Sequence, residues 1–321
     1  METFIPDTMT AAAIDRYGGP EVLRPQVLPV QRPRNQEVLI RLESAGVGVW
    51  DAAIRSGELQ LGEARFPQVI GNDGAGTVVA VGKGVGRVRV GDRVYAYAYR
   101  GGFYAQYVTV RQDDVALIPP NVPTDEAGAL GADGVTALIG LEDKLEIGTG
   151  DDLLIYGASG GIGHLAVQLA KRIGAHVFGV ASGEDGVALV RRLGADAAAD
   201  GRRDDVAAAV HEFAPEGLDA ALVLTSGESL QAALGGLRAG GKIAHPNGVE
   251  PAPAAPGPGI EVIAYDGIPS PETFDRLNAW IAAGPFHVEL GQTYELEDAA
   301  RAHQELDQHH LGKRALRIHA H

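Results

Sequence analysis

The sequence predicts an α/β protein in which a doubly wound parallel sheet follows a β-rich domain. Three observations predict it. Residues 37–110 read as short strands broken by glycines, and from residue 150 onward strands and helices alternate. The glycine-spaced stretch YGASGGIGHLAVQLAKRIGA (156–175) stands where the first helical crossover should begin.

The elements follow in chain order. METFIPDT reads as a loose lead-in. EVLIRLESAGV (37–47), TVVAVG (77–82), RVRVGDRVYAY (87–97) and AQYVTV (105–110) alternate or run β-branched, as strands do. Glycines 71, 74, 76, 82, 84, 86 and 91 imply a sharply bent β-domain. The style changes near PPNVPTDEAGAL (119–130), which marks the domain junction. DLLIYG (152–157) is a short buried strand and HLAVQLAKRIGA (164–175) an amphipathic helix. HVFGVAS (176–182), LDAALVLT (218–225), GKIAHP (241–246) and EVIAYDG (261–267) are further strands. EDGVALVRRLGA (184–195), DVAAAVHEFA (205–214) and SLQAALGGL (229–237) are the helices between them, giving right-handed crossovers. EPAPAAPGPG (250–259) reads as a surface loop or an interdomain linker. Helix 271–284, a strand, helix 295–306 and strand 313–320 close the chain.

Composition narrows the function. A chain of 321 residues suggests two domains. Its net charge of −15, without a basic run, argues against nucleic acid or an anionic membrane as partner. Zero cysteines exclude disulfides, thiolate zinc sites and a cysteine nucleophile. No leader pattern and no long apolar run is present, so a cytoplasmic location is expected.

Residues 156–175 carry two motifs. Gly157-Ala158-Ser159-Gly160-Gly161 fits G-x-S-x-G, the nucleophile elbow of a serine hydrolase. That reading takes Asp219 and His245 as the downstream acid and base, but no oxyanion-donor loop stands upstream. Gly157, Gly160 and Gly163 alternatively form a phosphate-cradling turn of the G-x-x-G-x-x-G type, one residue longer than the usual dinucleotide fingerprint. Glycines let a diphosphate approach the backbone, and the unpaired amides of a helix N-terminus attract it. Gly157, Ser159, Gly160, Gly161, Ile162 and Gly163 are therefore candidate cofactor contacts, with Ser159 capping the helix or bonding a phosphate. At the end of the second strand an NAD enzyme commonly carries an acid. Ala181 and Ser182 stand there instead, which favours NADPH over NADH. Glu184 and Asp185 read either as a displaced acid or as part of a helix cap. Arg191, Arg192 and Arg202 are the available cations, and Arg202 is the candidate for the 2′-phosphate.

Eight stretches together add a family likeness: AGVGVWDAAIRSGEL (45–59), GNDGAGTVVAVGKGV (71–85), GDRVYA (91–96), GGFYAQYV (101–108), GADGVTAL (131–138), YGASGGIG (156–163), RRLGAD (191–196) and GLDAALVLTSG (217–227). In that order they resemble the quinone oxidoreductase, or zeta-crystallin-like, branch of the zinc-free medium-chain dehydrogenase/reductase superfamily. The resemblance implies a GroES-like catalytic domain over 1–125, a Rossmann nucleotide-binding domain over 126–266, and a return to the catalytic domain over 267–321. It implies bound NADPH and a homodimer paired through EVIAYDG. Zinc-dependent relatives place their ligands where Gly48, Asn72 and Ala132 stand here, so a metal-free enzyme is expected. Tyr99-Arg100-Gly101-Gly102 replaces the structural-zinc lobe, and the histidines at 303, 309, 310, 319 and 321 read as a metal site or, more plainly, as a ragged polar chain end.

The implied reaction is hydride transfer to a small electrophilic substrate, a quinone or an α,β-unsaturated carbonyl. Gly48, Trp50, Asp51, Tyr97 and Tyr99 are the candidate substrate-pocket residues. Asp51 reads as a ligand contact or as a support for its own loop, and the three aromatics as a slot for a flat substrate or as core. No catalytic residue is assigned, since the proton comes from a tyrosine or from water. By motif position Thr136, Thr225, His245 and Asn247 join the cofactor site. Gly48 replaces a family asparagine, Ala53 lies near a usual tyrosine, and Gly201 replaces a tyrosine beside the 2′-phosphate. The alternative function is a crystallin-like nucleotide binder with little turnover.

Overall fold

A computed structural model describes residues 4–60, 62–63 and 65–319. The chain divides into two units. The first runs to Ala132 and includes Pro269–Ala282 and the chain from Leu290; the second comprises Asp133–Ile268 and Ala283–Glu289.

The first unit opens with β1 (Thr8–Ile14), β2 (Leu23–Pro29), β3 (Glu37–Val47), α1 (Val49–Ser56) and β4 (Gln68–Val69). It continues with β5 (Asp73–Val81), β6 (Arg93–Tyr97), β7 (Tyr107–Arg111), β8 (Val115–Leu117) and α2 (Thr124–Ala127). Strand β3 organises it. One edge pairs along its length with β5, while the other pairs first with β7 and then with the C-terminal strand. Register shifts after Leu39 and Leu42 bend β3, which lets one strand serve both partners. Gly76 permits the close approach of β5, since a Cβ there would lie 2.9 Å from Cα of Leu42. Ile40, Leu42, Val78, Val94, Phe103 and Leu316 form the buried centre. Each contributes about 1.5–3 kcal/mol of hydrophobic stabilisation.

The second unit begins within α3 (Gly131–Leu138), followed by β9 (Asp152–Tyr156), α4 (Gly161–Ile173), β10 (His176–Ala181), α5 (Gly183–Arg192) and β11 (Ala197–Asp200). Then come α6 (Val206–Phe213), β12 (Leu218–Val223), α7 (Leu230–Leu234), β13 (Leu237–Pro246) and β14 (Glu261–Tyr265). The six strands are all parallel, in the order β11-β10-β9-β12-β13-β14. Helices cover both faces of such a sheet, so its inner strands read as continuous apolar runs; Leu153, Leu154 and Ile155 are fully buried. The order reverses between β9 and β12, and in open α/β sheets ligands bind outside the carboxyl ends of strands at such a switch. Segment 250–259 joins β13 to β14 inside this one sheet, so it is a loop and not a linker.

The first unit is completed by α8 (Pro271–Ala282), β15 (Leu290–Glu295), α9 (Ala299–Gln304) and β16 (Lys313–Arg317). Among the described residues no helix is long and apolar enough to cross a membrane.

Three differences from the sequence-derived elements have local causes. β1 and β11 are built from TMTAAAI and AAAD, whose alanines carry little strand propensity and are recruited by their neighbours. The expected strand 87–97 contracts to Arg93–Tyr97, because Gly91 at φ 94° turns the chain. The segment after GADGVTAL winds into a wider helical turn over Ile139–Lys144.

Candidate functional site

The glycine turn follows the carboxyl end of β9. Gly157 has φ 89°, a left-handed conformation that favours glycine, and the amides of Gly157 and Ala158 both donate to the Val180 carbonyl (3.0 and 2.9 Å). Gly160 then caps α4 with no side-chain bond, so Ser159 is not the helix cap. The first helical bond runs from His164 N–H to Gly160 O at 3.0 Å, and the amides of Gly161, Ile162 and Gly163 precede it. A Cβ on Gly163 would come within 2.7 Å of Cα of Ala158. The helix can therefore sit this close to the turn only with glycine there. These residues present amide donors at a positive helix end, which suits a diphosphate.

Ser159 is buried at 5% exposure, its side chain against Gly186 of α5. The hydrolase arrangement is not assembled. Asp219 lies at the amino end of β12, accepts Asp152 N–H at 2.8 Å and pairs with Arg238, whereas Ser159 follows the carboxyl end of β9. His245 Nδ1 lies 3.2 Å from the Pro246 carbonyl instead of meeting Asp219 or Ser159.

At the end of β10, Ala181 is buried and Ser182 is the residue before α5. Ser182 makes no capping bond, and its Oγ is buried without a hydrogen-bond partner. A buried orphan hydroxyl at the end of the strand next to the glycine turn suits a bound polar group. Glu184 is paired with Arg203 at 3.1 Å, and Arg202 is exposed. Thr225 is exposed, 3.0 Å from where a Gly157 Cβ would stand. His245 is buried at the end of β13, and Asn247 donates to Asp266 at 2.9 Å. Thr136 accepts the Tyr265 hydroxyl at 3.0 Å through its carbonyl oxygen. Thr225, His245 and Asn247 thus follow or end strands at the same edge of the sheet as the turn.

In the first unit, Trp50, Tyr97 and Tyr99 do come together. Trp50 meets Tyr99 edge-on at 6.5 Å, and Tyr97 lies 5.5 Å from Tyr99. Asp51 supports its own loop: Oδ2 accepts Gly48 N–H at 2.8 Å and the Tyr104 hydroxyl at 3.2 Å. Oδ1 is buried without a partner. Burial above all, with nearby Asp73 adding and Lys313 opposing, pushes the Asp51 carboxyl up to about 7. Lys313 and Asp73 form a buried pair at 3.3 Å.

Sequence reasoning missed Tyr104, His303 and Arg55, which complete this cluster. His303 is not a ragged chain-end residue. It is buried, 3.1 Å from Tyr104 through Nε2 and 3.0 Å from Arg55 through Nδ1, and burial pushes it down to about 3. No local pattern links residues this far apart. The one available signal was the helical spacing of apolar residues in 295–306, which turns His303 inward.

The positions that the resemblance aligns with zinc ligands do not suit a metal. Gly48 and Ala132 have no ligand atom in their side chains, and the Asn72 amide nitrogen lies 3.4 Å from the Ala98 and Tyr99 carbonyls. Among the described residues no group of three or more histidine, cysteine, aspartate or glutamate side chains could hold a metal ion.

The chain is similar to known proteins throughout. Residues 34–120 match the family described as alcohol dehydrogenase GroES-like domain, and residues 161–246 match the zinc-binding dehydrogenase family. A quinone oxidoreductase of Sus scrofa is 31% identical over 93% of this chain and 94% of its own length. An NAD-dependent alcohol dehydrogenase of solved structure superposes with TM-score 0.87 at 27% identity, over 97% of this chain and all of its own. A quinone oxidoreductase of Coxiella burnetii gives TM-score 0.86 at 26% identity, with the same coverage of both chains. The Escherichia coli quinone oxidoreductase, solved in complex with NADPH, gives 0.83 at 25% identity over 97% and 99% of the two chains.

Proposed function

The chain belongs to the quinone oxidoreductase branch of the medium-chain dehydrogenase/reductase superfamily, and from that premise we propose a zinc-independent, NADPH-dependent reductase of quinones or α,β-unsaturated carbonyls. The observation that carries the reading is the Gly157–Gly163 turn, after which the amides of Gly161, Ile162 and Gly163 open α4 at the switch point of a parallel sheet.

The second unit holds the cofactor. Gly157, Gly160, Gly161, Ile162 and Gly163 bring backbone to the diphosphate, while Thr225, His245 and Asn247 border it. Three features support NADPH over NADH: small Ala181 and Ser182 where an acid would repel a 2′-phosphate, the unpartnered Ser182 hydroxyl, and exposed Arg202. The Escherichia coli relative carries the same cofactor. When bound, the nicotinamide supplies the hydride.

The first unit holds the substrate. The aromatic set of Trp50, Tyr97 and Tyr99 offers flat apolar faces to a conjugated ring or enone and excludes water. With no ligand set for a Lewis acid at positions 48, 72 and 132, the substrate must be electrophilic on its own account. We further propose a homodimer, for which β14 is suited as the exposed edge of the six-stranded sheet.

The test is NADPH oxidation with 1,2-naphthoquinone and with a simple enone, repeated with NADH. Rapid NADPH-dependent turnover supports the reading. Tight NADPH binding without turnover on any acceptor would make the protein a nucleotide binder, and faster turnover with NADH would overturn the cofactor assignment. Sedimentation as a monomer at micromolar concentration would remove the dimer.

A further inference from the structure

The helix that carries the phosphate turn is also tied, along one face, to an extended segment from a distant part of the chain. Residues 283–289 follow α8, yet they belong to the second unit. His164, Gln168 and Arg172, four apart on α4 and so on one helix face, each bond this segment. Glu289 N–H donates to His164 Nε2 at 3.0 Å. Gln168 bonds both backbone groups of His287, donating to its carbonyl at 2.8 Å and accepting its N–H at 2.9 Å. Arg172 donates to the Pro285 carbonyl and stacks over Phe286 with its guanidinium carbon 5.0 Å from the ring centre. Phe286 and Val288 are buried, which anchors the segment between these bonds.

The first of the three ties reaches the turn itself. A backbone N–H can only donate, so His164 Nε2 accepts from Glu289 and the ring proton sits on Nδ1. That proton points at the carbonyl oxygen of Gly160, 2.9 Å away, which also receives the backbone N–H of His164. The imidazole is fully buried. One residue therefore holds the capping carbonyl of α4 with two donors, and its far side is fixed by a strap drawn from 125 positions away.

We propose that His164 is a positioning residue of the nucleotide site, which sets the orientation of the Gly160–Gly161 peptide, and so of the diphosphate-binding amides, by linking it to the 285–289 strap. This rests on the nucleotide reading given above. It also assigns the strap a purpose: a segment remote in sequence from the glycine turn tunes how tightly that turn grips its ligand.

The experiment compares NADPH with 2′-AMP, which shares the adenosine end but has no diphosphate bridge. Binding to the full chain is measured by calorimetry. His164→Ala is expected to weaken NADPH on the order of tenfold, the effect of one lost buried hydrogen bond, and to leave 2′-AMP unchanged. His164→Asn, whose amide can still donate to Gly160 O, is expected to recover most of the NADPH affinity. Equal losses for both ligands would show a general structural effect and overturn the proposal, as would an unchanged NADPH affinity. If the alanine variant does not fold, His164→Asn and His164→Gln give the same decision. Asparagine should bind NADPH about tenfold more tightly than glutamine, and equal affinities would overturn the proposal. Wild-type protein that binds neither NADPH nor NADH would sink the nucleotide reading, and this inference with it.

Discussion

Arg55 donates a hydrogen bond to Nδ1 of His303 at 3.0 Å, joining residues 248 positions apart. A guanidinium has no acceptor, so His303 is neutral with its proton on Nε2. That proton goes to the Tyr104 oxygen, which leaves the Tyr104 hydroxyl to donate to Asp51 Oδ2. The chain of donors runs one way, from Arg55 to the first turn of α1.

Tyr104→Phe should cut this chain at its centre. His303 Nε2–H then loses its acceptor and Asp51 one donor, both in buried surroundings. A loss of about 1–3 kcal/mol is expected in urea unfolding. Unchanged stability would mean that the chain contributes nothing to the fold.

Asp51 makes stability depend on pH in the opposite sense to most carboxylates. Its folded-state value, about 7, lies above the ordinary 3.8, so the folded protein binds this proton more tightly. The stabilisation is fully present below pH 3.8 and is lost as pH rises through 7, with a slope of up to about 1.4 kcal/mol per pH unit between. The charged groups facing it are Asp73 and Lys313, with Tyr104 as hydrogen-bond donor. Asp51→Asn should remove this falling component, so that from pH 5 to pH 8 its stability rises relative to that of the wild type, against the rise that His164 and His303 contribute up to pH 6.5. An equal slope in both proteins would contradict the raised value.

His164 and His303 act at the acid side. Burial pushes them from 6.5 down to about 4 and about 3, so each is held neutral when folded. Their contribution is present above pH 6.5 and is lost as pH falls through those values. Thermal scans from pH 7 to pH 4 should show a falling midpoint, less steep in His303→Gln. A midpoint independent of pH over that range would refute the burial argument.

Two glycines should respond oppositely to a side chain. At Gly163 a Cβ meets the backbone of Ala158 at 2.7 Å, so Gly163→Ala should cost about 1–3 kcal/mol and weaken NADPH binding at least about tenfold. Gly48 has an ordinary φ of −140°, and its nearest neighbours would be 3.9 Å away. Gly48→Asn should leave stability within about 0.5 kcal/mol and raise KM for bulky acceptors. Equal effects at the two sites would contradict the difference in local space.

Ser182→Asp places a carboxylate where the 2′-phosphate of NADPH is proposed to lie. KM for NADPH should rise at least about tenfold while KM for NADH holds or falls, measured by steady-state kinetics. Parallel changes for both would put the 2′-phosphate elsewhere.

How much could be read in advance depended on the range of the forces involved. The strands from LLIY to EVIAY, the helix HLAVQLAKRI and the turn at Gly157 were legible because apolar periodicity and glycine conformation act over a few residues. Gly157 and Gly163 announce a tight turn in one dimension as clearly as in three. β11 was not legible, because AAAD forms a strand only beside β10. Nor was the joining of His303 to Arg55, or of His164 to Glu289.

The sequence by itself thus determined the parallel α/β half, the β-rich half, the glycine turn and the lack of side-chain ligands at positions 48 and 132. Only the tertiary structure decided that Asp51 is buried beside Lys313 and Asp73, that Ser159 is remote from Asp219, and that residues 285–289 bond to one face of α4. The reason is physical. Hydrophobic patterning and backbone conformation are properties of neighbouring residues, whereas a buried hydrogen bond exists only after the fold has brought its two partners together and removed the water between them.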